Sequence, residues 1–129
     1  MIAYTTLGTN NLEKAGQFYD SLFADLGAQR IMADDHIIIW GTPNSNLTGL
    51  FSVVTPFNEE PATVGNGTMV AIHAGSVEMV SKLYEKALSL GCSDEGAPGP
   101  RGDNNVMYFS YVRDPEGNKL AFFHMNQGG

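Results

Sequence analysis

Apolar positions along the chain change rhythm in the same order twice. Residues 2–7 and 68–73 are short runs with β-branched and aromatic side chains, which read as strands. Behind each run the apolar spacing turns helical. Leu12, Ala15, Phe18, Tyr19, Leu22 and Leu26 form the first stripe, and Val77, Val80, Leu83, Tyr84, Ala87 and Leu88 the second. Asn11 and Ser76 stand where a side-chain oxygen can cap the free backbone N–H groups of a helix start, and Glu13 and Glu78 suit its positive end. Both stripes stop before a glycine, Gly27 and Gly91, a residue that takes a left-handed cap without strain. Three strand candidates follow each helix, at 28–32, 36–40 and 47–54, then at 92–94, 106–112 and 119–125.

The parallel order is an internal repeat. A shift of 65 positions lays Tyr4 on Met69, Asn11-Leu12-Glu13 on Ser76-Val77-Glu78 and Phe18-Tyr19 on Leu83-Tyr84. The expected architecture is therefore an α+β fold of two βαβββ units within one domain, 1–129. Unit one spans 1–55, a Pro- and Gly-rich linker 56–67, and unit two 68–125. Residues 41–46 sit over 113–118 at a shift of 72, as the turns of the last hairpins. Asp114-Pro115-Glu116-Gly117 has the residue order of a tight turn, which gives Asp114 a structural role. Residues 96–105 read as an irregular stretch, of the length that covers or lines sites.

Composition narrows the function classes. Hydrophobic residues are 43% and charged residues 16% of the 129, the balance of a folded globular chain. The net charge of −7, with no basic stripe, argues against nucleic acid and anionic membrane as partners. Apolar runs such as Ile37-Ile38-Ile39-Trp40 are far too short to span a bilayer, and the chain opens directly on a strand-like run, so a cytoplasmic protein is expected. Cys92 is the only cysteine, which excludes an intrachain disulfide and a thiolate cluster and leaves it as a small buried hydrophobe.

Two βαβββ units, Phe18-Tyr19 on the first helix and Asp114-Pro115-Glu116-Gly117-Asn118 before the last strand resemble the vicinal oxygen chelate superfamily, which includes glyoxalase I, bleomycin- and fosfomycin-resistance proteins and extradiol dioxygenases. Pro61-Ala62-Thr63, Gly65-Asn66-Gly67, Pro98-Gly99 and Arg101 resemble a bacterial glyoxalase-like branch of it. The resemblance implies paired half-barrels around a cavity, with metal ligands, His, Gln or Glu, on the first and last strand of each unit. Carried over residue by residue, those positions are Tyr4, Gly49 (or Leu50 or Phe51 if the register slips), Met69 and Ala121. None is a good ligand for a hard or borderline divalent ion, so no metal and no cofactor is expected.

Residues two apart on a strand share a face, which groups Thr6 with Tyr4, Ala71 and His73 with Met69, Phe109 with Tyr111, and Phe123 with Ala121. The resemblance turns Tyr111, three residues before Asp114, toward a ligand. Tyr4, Met69, Phe109, Tyr111 and Phe123 would make an apolar lining with a few hydroxyls, suited to a small molecule, or would plug a small barrel. His36, His73 and His124 lie on three strands without ligand spacing, and His73 is the one that shares a face with the lining, where it could serve as a base. Arg101 could clamp a carboxylate or phosphate. Gly65-Asn66-Gly67 lacks the later glycine and helix of a nucleotide loop, and Glu59-Glu60 lies in a polar loop with no acid–base role. The expectation is a metal-free small-molecule-binding protein and a homodimer. The alternatives are a lyase- or dioxygenase-like enzyme and an interaction subunit with a filled barrel.

Overall fold

The computed structural model describes residues 1–102 and 106–126, and the chain divides into two units between Gly65 and Asn66. The first unit runs β1 (Tyr4–Gly8), α1 (Leu12–Phe23), a 3-10 turn (Ala24–Leu26), β2 (Gln29–Ala33), β3 (Ile37–Gly41) and β4 (Leu50–Val54). The second runs β5 (Val70–His73), α2 (Val77–Ser89), β6 (Ser93–Arg101), β7 (Met107–Arg113) and β8 (Lys119–Met125). Each unit folds as one four-stranded sheet, ordered β1-β4-β3-β2 and β5-β8-β7-β6. The first strand of each unit pairs parallel with the last, and the remaining neighbours pair antiparallel. The fold class is α+β, as the repeat predicts.

Both helices start on the expected caps: Asn11 Oδ1 accepts from Lys14 N at 3.0 Å and Ser76 Oγ from Met79 N at 3.0 Å. Gly27 and Gly91 end the helical stretches with φ of 71° and 104°. α1 buries Phe18, Tyr19, Leu22 and Phe23, while Leu12, Ala15 and Leu26 are only half-buried. The Tyr19 ring lies 4.7 Å from Phe51 and 5.6 Å from Trp40, which knits α1 to β3 and β4. At the edge of this cluster Asp20 Oδ1 accepts from Trp40 Nε1 and Arg30 Nε, both at 2.9 Å. The Arg30 hydrogen bond holds the Asp20 carboxyl below the usual carboxylate range; partial burial opposes this and the Trp40 N–H adds to it.

α2 lays Val80, Leu83, Tyr84 and Ala87 on Val112, Leu120 and Phe122, all of them buried. Each fully buried side chain of this size contributes about 1.5–3 kcal/mol. Ser110 on the same face of β7 donates to Val80 O at 3.4 Å. Asp114 organises the β7–β8 turn: its Oδ1 accepts from Glu116 N at 3.0 Å and Asn118 N at 2.9 Å. Cys92 lies buried beside the start of β6, where desolvation, with the negative Asp114 adding, pushes its thiol up to about 12. Iodoacetamide at pH 8 should therefore leave Cys92 unmodified in the folded protein and alkylate it in urea. Intact-mass measurement of both samples checks this, and rapid modification of the folded chain would contradict the burial.

Several boundaries differ from the sequence reading, among them the start of β5, which is Val70 and not residue 68. β1 begins at Tyr4, because Ile2 and Ala3 use their carbonyls to accept from Gly49 N and Leu50 N before the ladder proper begins. Leu47 lies outside β4: Asn46 and Leu47 have φ of 54° and 59°, left-handed values that no strand contains. The irregular stretch 96–105 is largely strand, since β6 continues to Arg101; residues 103–105 lie outside the described residues. β6 carries Pro98 and Pro100 because it is the edge of its sheet, paired only with β7, and its register shifts twice between Asp94 and Gly99. Among the described residues, no helix is long and apolar enough to cross a membrane.

Candidate functional site

Strand alternation in the second unit separates two faces. Ser110, Val112, Leu120 and Phe122 point to α2, which leaves Phe109, Tyr111, Ala121 and Phe123 on the opposite face. The β7–β8 register sets Phe109 beside Phe123 and Tyr111 beside Ala121, and the β5–β8 register sets His73 beside Phe123 and Ala71 beside Ala121. The aromatic rings form a continuous ladder. Tyr111 stacks on Phe109 with centroids 5.4 Å apart and planes 7° from parallel, and Phe109 meets Phe123 at 4.8 Å. His73 continues the row 6.3 Å beyond Phe123, with the His124 ring stacked 6.4 Å away. Met69 lies immediately before β5 and is 40% exposed.

Two cations frame Tyr111. The Arg101 guanidinium lies 5.7 Å and the Lys119 ammonium 5.2 Å from its ring centroid. Arg101 is held over the ring by its own strand: Nη2 donates to Ala97 O at 3.0 Å and Nη1 to Pro100 O at 3.1 Å. A guanidinium carries five N–H donors, so this anchoring still leaves donors for an anion. Glycine makes the arrangement possible. A Cβ at Gly96 would stand 2.8 Å from Tyr111 Cδ2, and one at Gly99 would stand 3.0 Å from Arg101 Nη1. Only a residue without a side chain lets the ring and the guanidinium lie this close to β6.

Of the seven residues singled out in the sequence, Met69, His73, Arg101, Phe109, Tyr111 and Phe123 belong to the second unit, and Tyr4 to β1 of the first, where it is 53% exposed. Lys119 was missed. Its signal was available, because it lies two residues before Ala121 and so shares its face.

The register also corrects one of the proposed ligand positions, the last-strand position of the first unit. Ala121 stands beside Ala71, and the matching place in the first unit, beside Thr6, is held by Ser52. Gly49 is not that counterpart, nor is Leu50 or Phe51: Gly49 lies before β4 with φ of 61°, and Leu50 is the partner of Tyr4. The first hairpin has eight residues between its strands and the second has five, which slips the match by three. With Ser52 in place of Gly49, the four positions are Tyr4, Ser52, Met69 and Ala121. Ala121 offers no donor, the Met69 thioether is a soft ligand, and the Ser52 hydroxyl already donates to Thr5 O. This set does not fit a divalent ion that needs imidazole or carboxylate ligands. Among the described residues no group of three or more His, Cys, Asp or Glu could hold a metal ion.

Comparison with known proteins bears on the fold and the family. A solved glyoxalase/bleomycin resistance protein from Albidiferax ferrireducens T118 is 33% identical, with 96% of this chain and 98% of that one covered and a TM-score of 0.84. A glyoxalase/bleomycin resistance protein/dioxygenase family enzyme from Burkholderia phytofirmans PsJN shares the fold at 18% identity and a TM-score of 0.75, over 95% and 97% of the two chains. So does a lactoylglutathione lyase from Agrobacterium tumefaciens, at 20% identity and a TM-score of 0.68, over 95% and 92%. No curated protein matches the chain significantly. The family model of the Glyoxalase/Bleomycin resistance protein/Dioxygenase superfamily matches residues 1–122, and to that superfamily the chain belongs.

Proposed function

We propose that this chain is a small-molecule-binding member of its superfamily that works without the metal and without another cofactor, and that the face of β7 and β8 opposite α2 takes an aromatic anion. One observation carries the reading: the Tyr111 ring, stacked on Phe109, has two cations within 6 Å of its centroid and Gly96 directly against it. The ladder of Phe109, Tyr111 and Phe123 offers an aromatic body offset-stacked contacts, each worth about 0.5–1.5 kcal/mol beyond area burial. Arg101 and Lys119 supply the charge that an acidic group on that body requires, and Met69 adds a flexible apolar contact. His73, at the far end of the ladder, meets whatever extends past Phe123.

A thermal-shift screen of aryl carboxylates, aryl phosphates and neutral aromatics tests the reading, because a ligand of the folded state raises its apparent stability. Aryl anions should raise the melting temperature and neutral analogues should do so less. Equal shifts for both, or none for any anion, would remove the cationic frame from the argument. Nickel, zinc, manganese and iron(II) should give no shift, and elemental analysis near one metal per chain would overturn the metal-free part.

We also propose that the chain pairs into a homodimer. Edge strand β2 supports this: all five residues are exposed, Ile31 at 44% and Met32 at 45%, and unlike β6 it has no proline to block pairing. Light scattering at micromolar concentration should return twice the chain mass, and a monomer would contradict the proposal.

A further inference from the structure

The first unit carries a pocket of about 740 Å³ at the end of the β3–β4 pair. Ile37 and Val54, cross-strand partners on the face opposite α1, form its apolar floor, and the segment 56–61 forms its rim. That rim is built by hydrogen bonds. Glu59 N donates to Pro56 O at 3.0 Å, Glu60 N to Asn58 Oδ1 at 3.0 Å, and Ala62 N to Asn10 Oδ1 at 2.7 Å. It presents Phe57 with its side chain wholly in water beside the two carboxylates of Glu59 and Glu60. Among the described residues that line the pocket there is no lysine or arginine, and His36 directs Nδ1 to within 3.5 Å of Thr55 Oγ1.

The repeat sharpens the contrast. Val54 lies two residues beyond Ser52 as Phe123 lies two beyond Ala121, so the Ile37–Val54 pair holds the place that Phe109–Phe123 holds in the second unit. The pair in the second unit is aromatic and stacks through Phe109 on Tyr111, which carries the two cations; the pair in the first unit is aliphatic and has two carboxylates at its rim. An exposed phenyl ring presents a negative face to a cation, and it leaves in water an apolar surface that a bound apolar group would cover. An anion would meet two like charges there. A cation with an apolar body satisfies the carboxylates, the ring and the floor together.

We propose that this pocket binds a small organic cation, an ammonium group carried on an apolar body. The test is a titration of the 15N-labelled protein with benzyltrimethylammonium, followed by amide NMR, with benzyl alcohol as the uncharged probe. Shifts should saturate and concentrate at residues 9–10, 36–37 and 54–61. The alcohol should bind at least about tenfold more weakly, because it lacks the charge. The Glu59→Gln/Glu60→Gln double variant should weaken the ammonium about tenfold and Phe57→Ala severalfold, with the amide spectrum of α1 unchanged as the check of folding. Lys119→Ala, in the second unit, should leave the ammonium affinity as it is. Equal affinity for the two probes, an unchanged double variant, shifts concentrated elsewhere, or no saturation would each overturn the proposal. So would concentration-dependent shifts at the same amides without any probe, which would seat a second copy of the chain in the pocket.

Discussion

Trp40→Ala is expected to destabilise the first unit by about 3–5 kcal/mol, the range for removing a fully buried large aromatic from a core that cannot collapse around the gap. Trp40 is 1% exposed and sits among Tyr19, Phe23 and Phe51, with ring centroids at 5.6, 6.0 and 6.2 Å. Its indole N–H also satisfies Asp20 Oδ1 at 2.9 Å, so the substitution removes a packing partner of α1 and a donor to a carboxylate at once. Trp40→Phe should fill part of the gap and lose the hydrogen bond, at about 1–2 kcal/mol. Urea unfolding followed by far-ultraviolet circular dichroism measures both, since the chain has no other tryptophan to report by fluorescence. Hydrogen exchange then locates the loss. Protection should fall in α1, β3 and β4 more than in α2, β7 and β8, whereas a uniform fall would mean that the two units open as one block. A loss under about 1 kcal/mol for Trp40→Ala would contradict the ring cluster as a stabilising core.

The same cluster ties stability to pH. Asp20 has a depressed pKa in the folded chain, so its ion pair with Arg30 stabilises the fold above the unfolded carboxylate value of about 4 and is lost as pH falls through the lower folded value. Both side chains are well exposed, at 44% and 39%, and solvent screening keeps the contribution small beside the packing of Trp40.

The parts of this fold that are local in sequence are legible in it. Asn11 and Ser76 cap helices because the interaction spans three residues, and the parity of Phe109, Tyr111 and Phe123 follows from pleating alone. What depends on pairing partners is not. Pro98 and Pro100 look like loop residues until β6 proves to be an edge, where half the strand's N–H groups need no partner. Gly49 was matched to Ala121 because hairpin length is invisible in an ungapped comparison; the three extra residues of the first hairpin include the left-handed Leu47, whose conformation no propensity would assign. The seat of Tyr111 is the hardest case. Gly96 and Gly99 read as flexible punctuation, yet their role is the room they leave for the Tyr111 ring, brought alongside by the β6–β7 ladder, and for the Arg101 guanidinium folding back along its own strand.

That seat makes a prediction with two separable halves. With 2-naphthoate and 2-naphthalenemethanol as probes, Tyr111→Ala should weaken both ligands, because it removes the central rung of the ladder and with it apolar contact worth about 1–3 kcal/mol. Arg101→Ala and Lys119→Ala should weaken the carboxylate alone, by about 1 kcal/mol each, since the alcohol has no charge for either cation to meet. Raising the salt concentration should narrow the gap between the two probes in the parent protein, as screening weakens the partly exposed charges but not the ring contacts. Arg101 has a further consequence. Its guanidinium is anchored to Ala97 O and Pro100 O, so Arg101→Lys keeps the charge and loses the fork that fixes it over Tyr111. The lysine variant should therefore recover only part of the carboxylate preference. Full recovery would reduce Arg101 to a point charge, and loss of both probes in Arg101→Ala would mean that the residue holds β6 in place rather than meeting the anion. Isothermal titration of the four variants with the two probes separates these outcomes, because a lost ring contact shifts both affinities and a lost charge shifts one.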